Sequence, residues 1–105
     1  MKILLDECVP WPMRKILPGH ECQTPQRAGW GGLKNGDLLR EAEAAFDLFI
    51  TSDQNIRYQQ NLAGRRIAIL ELSTNDLRRI LAAAALIQSS VATIQAGEFR
   101  QLEIL

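Results

Sequence analysis

The sequence predicts an α/β domain, a three-layer α/β/α sandwich around a central, mostly parallel sheet, and three observations carry that prediction. Short, wholly apolar runs recur along the chain, as expected of strands covered on both faces. Stretches with apolar residues at helical spacing separate them, and Pro and Gly clusters punctuate the changes. Strands alternating with helices specify a parallel sheet, because each crossover must return the chain to the same edge.

At 105 residues the chain reads as one domain, residues 1–105. Ile3-Leu4-Leu5 is the first strand and ends on Asp6. Pro10 and Pro12 suit a turn and the opening of a short helix from Pro12 to Leu17, which Pro18-Gly19 stops. His20 to Thr24 forms a second strand, followed by a shaped loop over residues 26–36 with four glycines. Apolar positions from Gly36 to Phe46 recur at helical spacing, with Asn35 as its cap and Asp37 in its first turn, where the helix dipole favours negative charge.

Leu48-Phe49-Ile50-Thr51 is the next buried strand and runs through Ser52 into Asp53. A short helical stretch over Gln54–Leu62 precedes the strand Arg66–Leu72. Thr74 or Asn75 then caps the longest helix, whose apolar stripe runs from Leu77 to Ile94 and which Gly97 ends. Residues 99–105 add an edge strand. Ala82 to Ala85 would let a second helix approach closely, which admits a homodimer seam.

Twelve basic and twelve acidic residues cancel to zero net charge, which weighs against tight, nonspecific nucleic-acid binding but leaves room for a local basic patch. Two cysteines, Cys8 and Cys22, are too few for a disulfide framework and are expected as buried, reduced thiols. A single histidine, His20, leaves no Cys/His metal cluster, and Ser52 has no histidine placed to activate it. No signal sequence or membrane-length apolar run is present, so the expectation is a soluble, cytoplasmic protein without a membrane partner.

The chemistry points to carboxylates. In an open parallel sheet, ligands bind beyond the carboxyl ends of the strands. Asp6 and Asp53 occupy such ends, Glu7 adjoins the first, Asp37 enters from the helix, and Glu41 lies one turn later. Acids brought together repel unless protonated or neutralised by a hard cation. Mg2+ or Mn2+ prefers oxygen ligands, bridges carboxylates to phosphates and assists hydrolysis of a phosphodiester. Lys34, Asn35, Asn55 and Arg57 flank the loops that should border the cleft, with Tyr58, Gln59 and Asn61 nearby, and would contact substrate phosphates and bases; Trp30 or Tyr58 would offer a stacking surface, although Trp30 also suits packing of its loop onto the core.

The motifs Ile3-Leu4-Leu5-Asp6-Glu7, Asp37 and Ile50-Thr51-Ser52-Asp53-Gln54-Asn55 resemble the PIN-like domains over nearly the whole chain, and more narrowly a small branch catalogued as domain of unknown function 5615. The resemblance implies a PIN-like fold and a divalent-metal-dependent ribonuclease acting on single-stranded RNA. It also implies a toxin–antitoxin setting with a small antitoxin-like partner protein. Carried over by position, Asp6, Asp37 and Asp53 are the catalytic and metal-holding acids, with Glu41 as a substitute for Asp37 and Glu7 as a further ligand. Asn55 stands where PIN nucleases generally carry another acid, so a weakened enzyme that works as a binding module is the alternative. An acid pair after the first strand, Asp53, and Ser73 or Thr74 also resemble a phosphoacceptor receiver domain, which needs a lysine after its last strand; the sequence has none beyond Lys34.

Overall fold

A computed structural model describes residues 1–33, 35–56 and 65–105. The apolar runs become strands β1 (Lys2–Leu5), β2 (Glu21–Gln23), β3 (Leu48–Thr51) and β4 (Ala68–Leu72), and the C-terminal segment becomes β5 (Phe99–Leu102). Among the described residues they form one five-stranded sheet in the order β2-β1-β3-β4-β5, with every pairing parallel. The chain steps outward from β1 to β2, then crosses back past β1 to β3. The strand order therefore reverses between β1 and β3, where a doubly wound sheet opens its crevice.

Helices cover both faces, as the wholly buried β3 and β4 require. On one face, Ile3, Leu5, Leu48, Ile50, Ala68, Leu70 and Leu72 pack with Met13, Ile80, Ile87 and Val91. On the other, Leu4, Phe49, Ile67 and Ile69 meet Leu38, Leu39 and Ala42 of helix α1 (Asn35–Ala42), together with Ile56. Trp30 seals the margin of this layer with its ring edge-on to Phe46, centroids 5.8 Å apart, so its packing role is the one realised.

Several boundaries differ from the sequence expectation. The crossover after β1 is a 3-10 helix (Trp11–Ile16), with Pro12 removing one donor in its first turn. Asn35 is the first residue of α1, and α1 ends at Ala42, short of Phe46. The long helix is two pieces, α2 (Leu77–Ala82) and α3 (Ala84–Thr93), joined at Ala83; no side chain there explains the break. Its cap is Asp76, whose Oδ1 accepts from the N–H groups of Arg78 and Arg79 at 2.9 and 3.3 Å, while Thr74 Oγ1 accepts from Asp76 N. Gly97 lies beyond the helix at φ +76°, and a Cβ there would sit 2.8 Å from the Arg65 carbonyl. The helical stretch expected over Gln54–Leu62 falls largely outside the described residues.

The thiols also depart from expectation. Cys22 on β2 is half-buried, and that burial pushes its thiol above the ordinary value against smaller opposing pulls from Arg14 and the N-terminus. Cys8 is exposed, because it follows Asp6-Glu7 in the turn beyond β1 instead of lying within a strand.

Candidate functional site at the carboxyl edge of the sheet

The parallel registers decide which side chains meet. Leu4 pairs with Phe49, Phe49 with Ile69, and Ile69 with Phe99, making one apolar row across four strands. Side chains alternate between faces, so the next row on the same face lies two residues further on. That row is polar: Asp6 beyond β1, Thr51 on β3, Glu71 on β4 and Gln101 on β5. Asp6 N donates to Ile50 O at 2.9 Å, which holds the first member of the row beside β3.

Thr51 joins the two strand-end aspartates. Its hydroxyl, fully buried, donates to Asp6 Oδ2 at 2.7 Å and accepts from the Asp53 backbone N–H at 3.0 Å. Asp6 Oδ2 also receives the Cys8 thiol at 3.3 Å, and Asp6 Oδ1 accepts from Glu7 N at 2.8 Å. Cys8 Sγ in turn accepts from Ser52 N at 3.4 Å, and Ser52 Oγ donates to Cys8 O at 3.4 Å. Asp53 Oδ1 accepts from Asn55 N at 2.9 Å, so the loop after β3 is folded around its own aspartate. Asp6 is thereby held in one orientation at the switch point.

The other expected residues are placed differently. Glu7 is exposed next to Asp6, and Asn55 is exposed after Asp53. Asp37 pairs with Arg40 at 3.7 Å and lines a separate groove with Trp30, Arg40 and Glu41. None of the described contacts ties Asp37 or Glu41 to Asp6 or Asp53. Lys34, Arg57, Tyr58, Gln59 and Asn61 lie outside the described residues. His20 sits at the opposite edge, its Nδ1 3.1 Å from the N-terminal amine.

Among the described residues, no three His, Cys, Asp or Glu side chains stand close enough to form a metal cage. Magnesium needs no such cage, since it keeps several waters and is commonly held by one or two carboxylates. A carboxylate offers about four lone-pair directions, and Asp6 uses three of them on Glu7 N, Thr51 Oγ1 and Cys8 Sγ. One remains, on an oxygen donor of the hard kind that magnesium and manganese prefer. The donor chemistry at Asp6 fits a mostly hydrated divalent ion.

Sequence reasoning passed over Glu71. It is 4% exposed within an otherwise apolar strand, Oε2 accepts from Gln101 Nε2 at 2.7 Å, and Oε1 has no hydrogen-bond partner among the described residues. The signal available was chemical: an acid inside a wholly apolar run is costly to bury without compensation. Among the described residues, no helix is long and apolar enough to cross a membrane. In comparisons with protein-family models, curated proteins and solved structures, nothing matches this chain.

Proposed function

We propose that the protein is a PIN-like, divalent-metal-dependent ribonuclease that cleaves single-stranded RNA, with Asp6 and Asp53 as its metal-holding acids. The observation that carries this reading is the Asp6–Thr51–Asp53 connection at the switch point between β1 and β3. Thr51 fixes the Asp6 carboxylate from below, and Glu7 N fixes its other oxygen, so the acid meets a ligand without reorganising. When bound, a magnesium or manganese ion supplies charge neutralisation and Lewis acidity at a phosphodiester. A small antitoxin-like protein is the partner this reading carries with it.

The test is cleavage of single-stranded RNA with Mg2+ or Mn2+ by the wild type, Asp6→Asn and Asp53→Asn, with circular dichroism to confirm folding. Each variant should lose roughly a hundredfold or more of the activity. Unchanged activity in both would sink the proposal. A wild type that never cuts RNA yet binds a small partner tightly would establish the binding-module alternative. The strand order also suits a phosphoacceptor domain, with Asp53 after β3 and Ser73 after β4. That chemistry wants a basic side chain after the last strand, and the residue following β5 is Glu103. A small phosphodonor should therefore leave Asp53 unlabelled.

A further inference from the structure

Zero net charge leaves room for a local basic patch, and one gathers around Trp11. The guanidinium carbons of Arg14 and Arg27 each stand 4.6 Å from the centroid of the Trp11 ring, where the ring's quadrupole attracts both cations. Sharing one ring holds the two charges no further apart than twice that distance. Trp11 is itself anchored, since it packs against the core that contains Met13 and Leu17. Arg14 comes from the same 3-10 helix as Trp11. Arg27 comes from the turn after β2, where Thr24 Oγ1 accepts from Arg27 N at 3.2 Å.

Two like charges gathered at one ring repel each other, and an anion between them would offset that cost. Among the described residues neither arginine has a carboxylate partner. Arg14 Nη1 donates to Trp11 O at 3.3 Å, and the Arg27 guanidinium donates to none of the described residues. A guanidinium carries five N–H donors in a planar fork that matches a phosphate, and its flat face stacks on a base. Arg27 is exposed and Arg14 half-buried, so most of these donors stand uncommitted at the surface. We infer that Trp11, Arg14 and Arg27 form a platform that grips the sugar-phosphate backbone of single-stranded RNA on the β2 side of the Asp6 site.

The position suits that role. Trp11 follows Asp6 by five residues, a reach of about 18 Å at full extension, and a turn bond from Val9 N to Asp6 O at 3.0 Å shortens it. Arg27 follows β2, the strand paired with β1. An RNA strand with one phosphate at Asp6 therefore has another within reach of the two arginines. RNA uses both properties of the guanidinium, phosphates on the fork and bases on the flat face, whereas an acidic protein segment uses only the first. The inference rests on the ribonuclease reading for its ligand, and binding alone tests it.

The probe is a fluorescent single-stranded RNA oligonucleotide, titrated with the wild type, Arg14→Gln, Arg27→Gln and the double variant in chelator, where no cleavage competes. The double variant should bind roughly tenfold or more weakly. The slope of log affinity against log salt should shrink by roughly 0.7 for each arginine removed, a readout that lost packing leaves unmoved. Wild-type affinity and slope in the double variant, or no RNA binding by the wild type, overturn the inference. So does polyglutamate that displaces the probe as well as unlabelled RNA does, since an acidic protein surface would then serve equally. Should Arg14→Gln fail to fold, the exposed Arg27 decides alone through Arg27→Gln. A wild type that cuts RNA while the arginine variants bind it normally refutes this inference and keeps the reaction. Arginine-dependent binding by a wild type that never cuts upholds the inference and removes the reaction.

Discussion

Two consecutive rows of side chains cross the same face of the sheet, and they behave as opposites. Leu4, Phe49 and Ile69 are buried against α1 and close the core, with Phe99 packed at the margin. One step along, Asp6, Thr51, Glu71 and Gln101 occupy the equivalent positions, and only Thr51 and Glu71 are buried. Two residues of extended chain, roughly 7 Å, separate a packed layer from a polar edge. Within the polar row a second contrast appears. Both hydrogen-bonding roles of Thr51 are used, as donor to Asp6 and acceptor from Asp53, whereas Glu71 satisfies one oxygen and leaves the other bare. The first arrangement stabilises the fold, and the second costs stability, which is where function is to be sought.

The largest expected effect belongs to the apolar row. Phe49 is fully buried at its centre, so Phe49→Ala should destabilise the protein by about 3–5 kcal/mol, read by chemical denaturation. A loss below about 1 kcal/mol would mean that this row is not the core it is taken to be.

The polar row should split. Thr51→Val keeps the shape but takes a donor from Asp6 and an acceptor from Asp53 N, for a loss of about 1–3 kcal/mol. Glu71→Leu, measured in metal-free buffer, should be neutral or stabilising, because it removes a buried charge whose partner Gln101 is exposed and can turn to water. If both substitutions cost the same, the contrast between the two positions fails and Glu71 is a structural residue. Equal and negligible effects would instead show that Thr51 does not organise the switch point.

Much of this architecture could be read from the chain before its structure was seen, and the exceptions share a cause. Ile3–Leu5, Leu48–Thr51 and the run ending at Leu72 announce strands by local composition, and Asp6 and Asp53 announce themselves by following them. Local composition does not contain register. Asp6 and Thr51 lie 45 residues apart, and Glu71 and Gln101 lie 30 apart, so the polar row exists only once four strands are aligned. Glu71 was hidden because it continues a strand pattern, while Asp6 and Asp53 interrupt one. The cap at Asp76 was missed for a smaller reason: Thr74, Asn75 and Asp76 are all good caps, and only the geometry chooses among them. Cys8 was misjudged because it closely follows the apolar run Ile3–Leu5 in sequence, but its backbone has already left the sheet.

The smallest expected effect supplies the control for Glu71. Glu98, just before β5, is a half-exposed carboxylate with donors on both oxygens, Arg100 Nε at 2.8 Å and Gln95 N at 2.9 Å. The side-chain hydrogen bond from Arg100, then the backbone bond from Gln95, holds its carboxyl below the ordinary value of 4.5. A carboxyl lowered in the folded state contributes stability that is present above its unfolded value and lost as pH falls through the folded one. Glu98→Gln should therefore lower the melting temperature slightly at neutral pH, and the difference from wild type should vanish in acid. Solvent around the half-exposed side chain and salt screening keep that difference small. A gap that persists unchanged at low pH would show that Glu98 acts by shape and not by charge. Set beside Glu71→Leu, the outcome separates a carboxylate retained for what it adds to folding from one retained in spite of it.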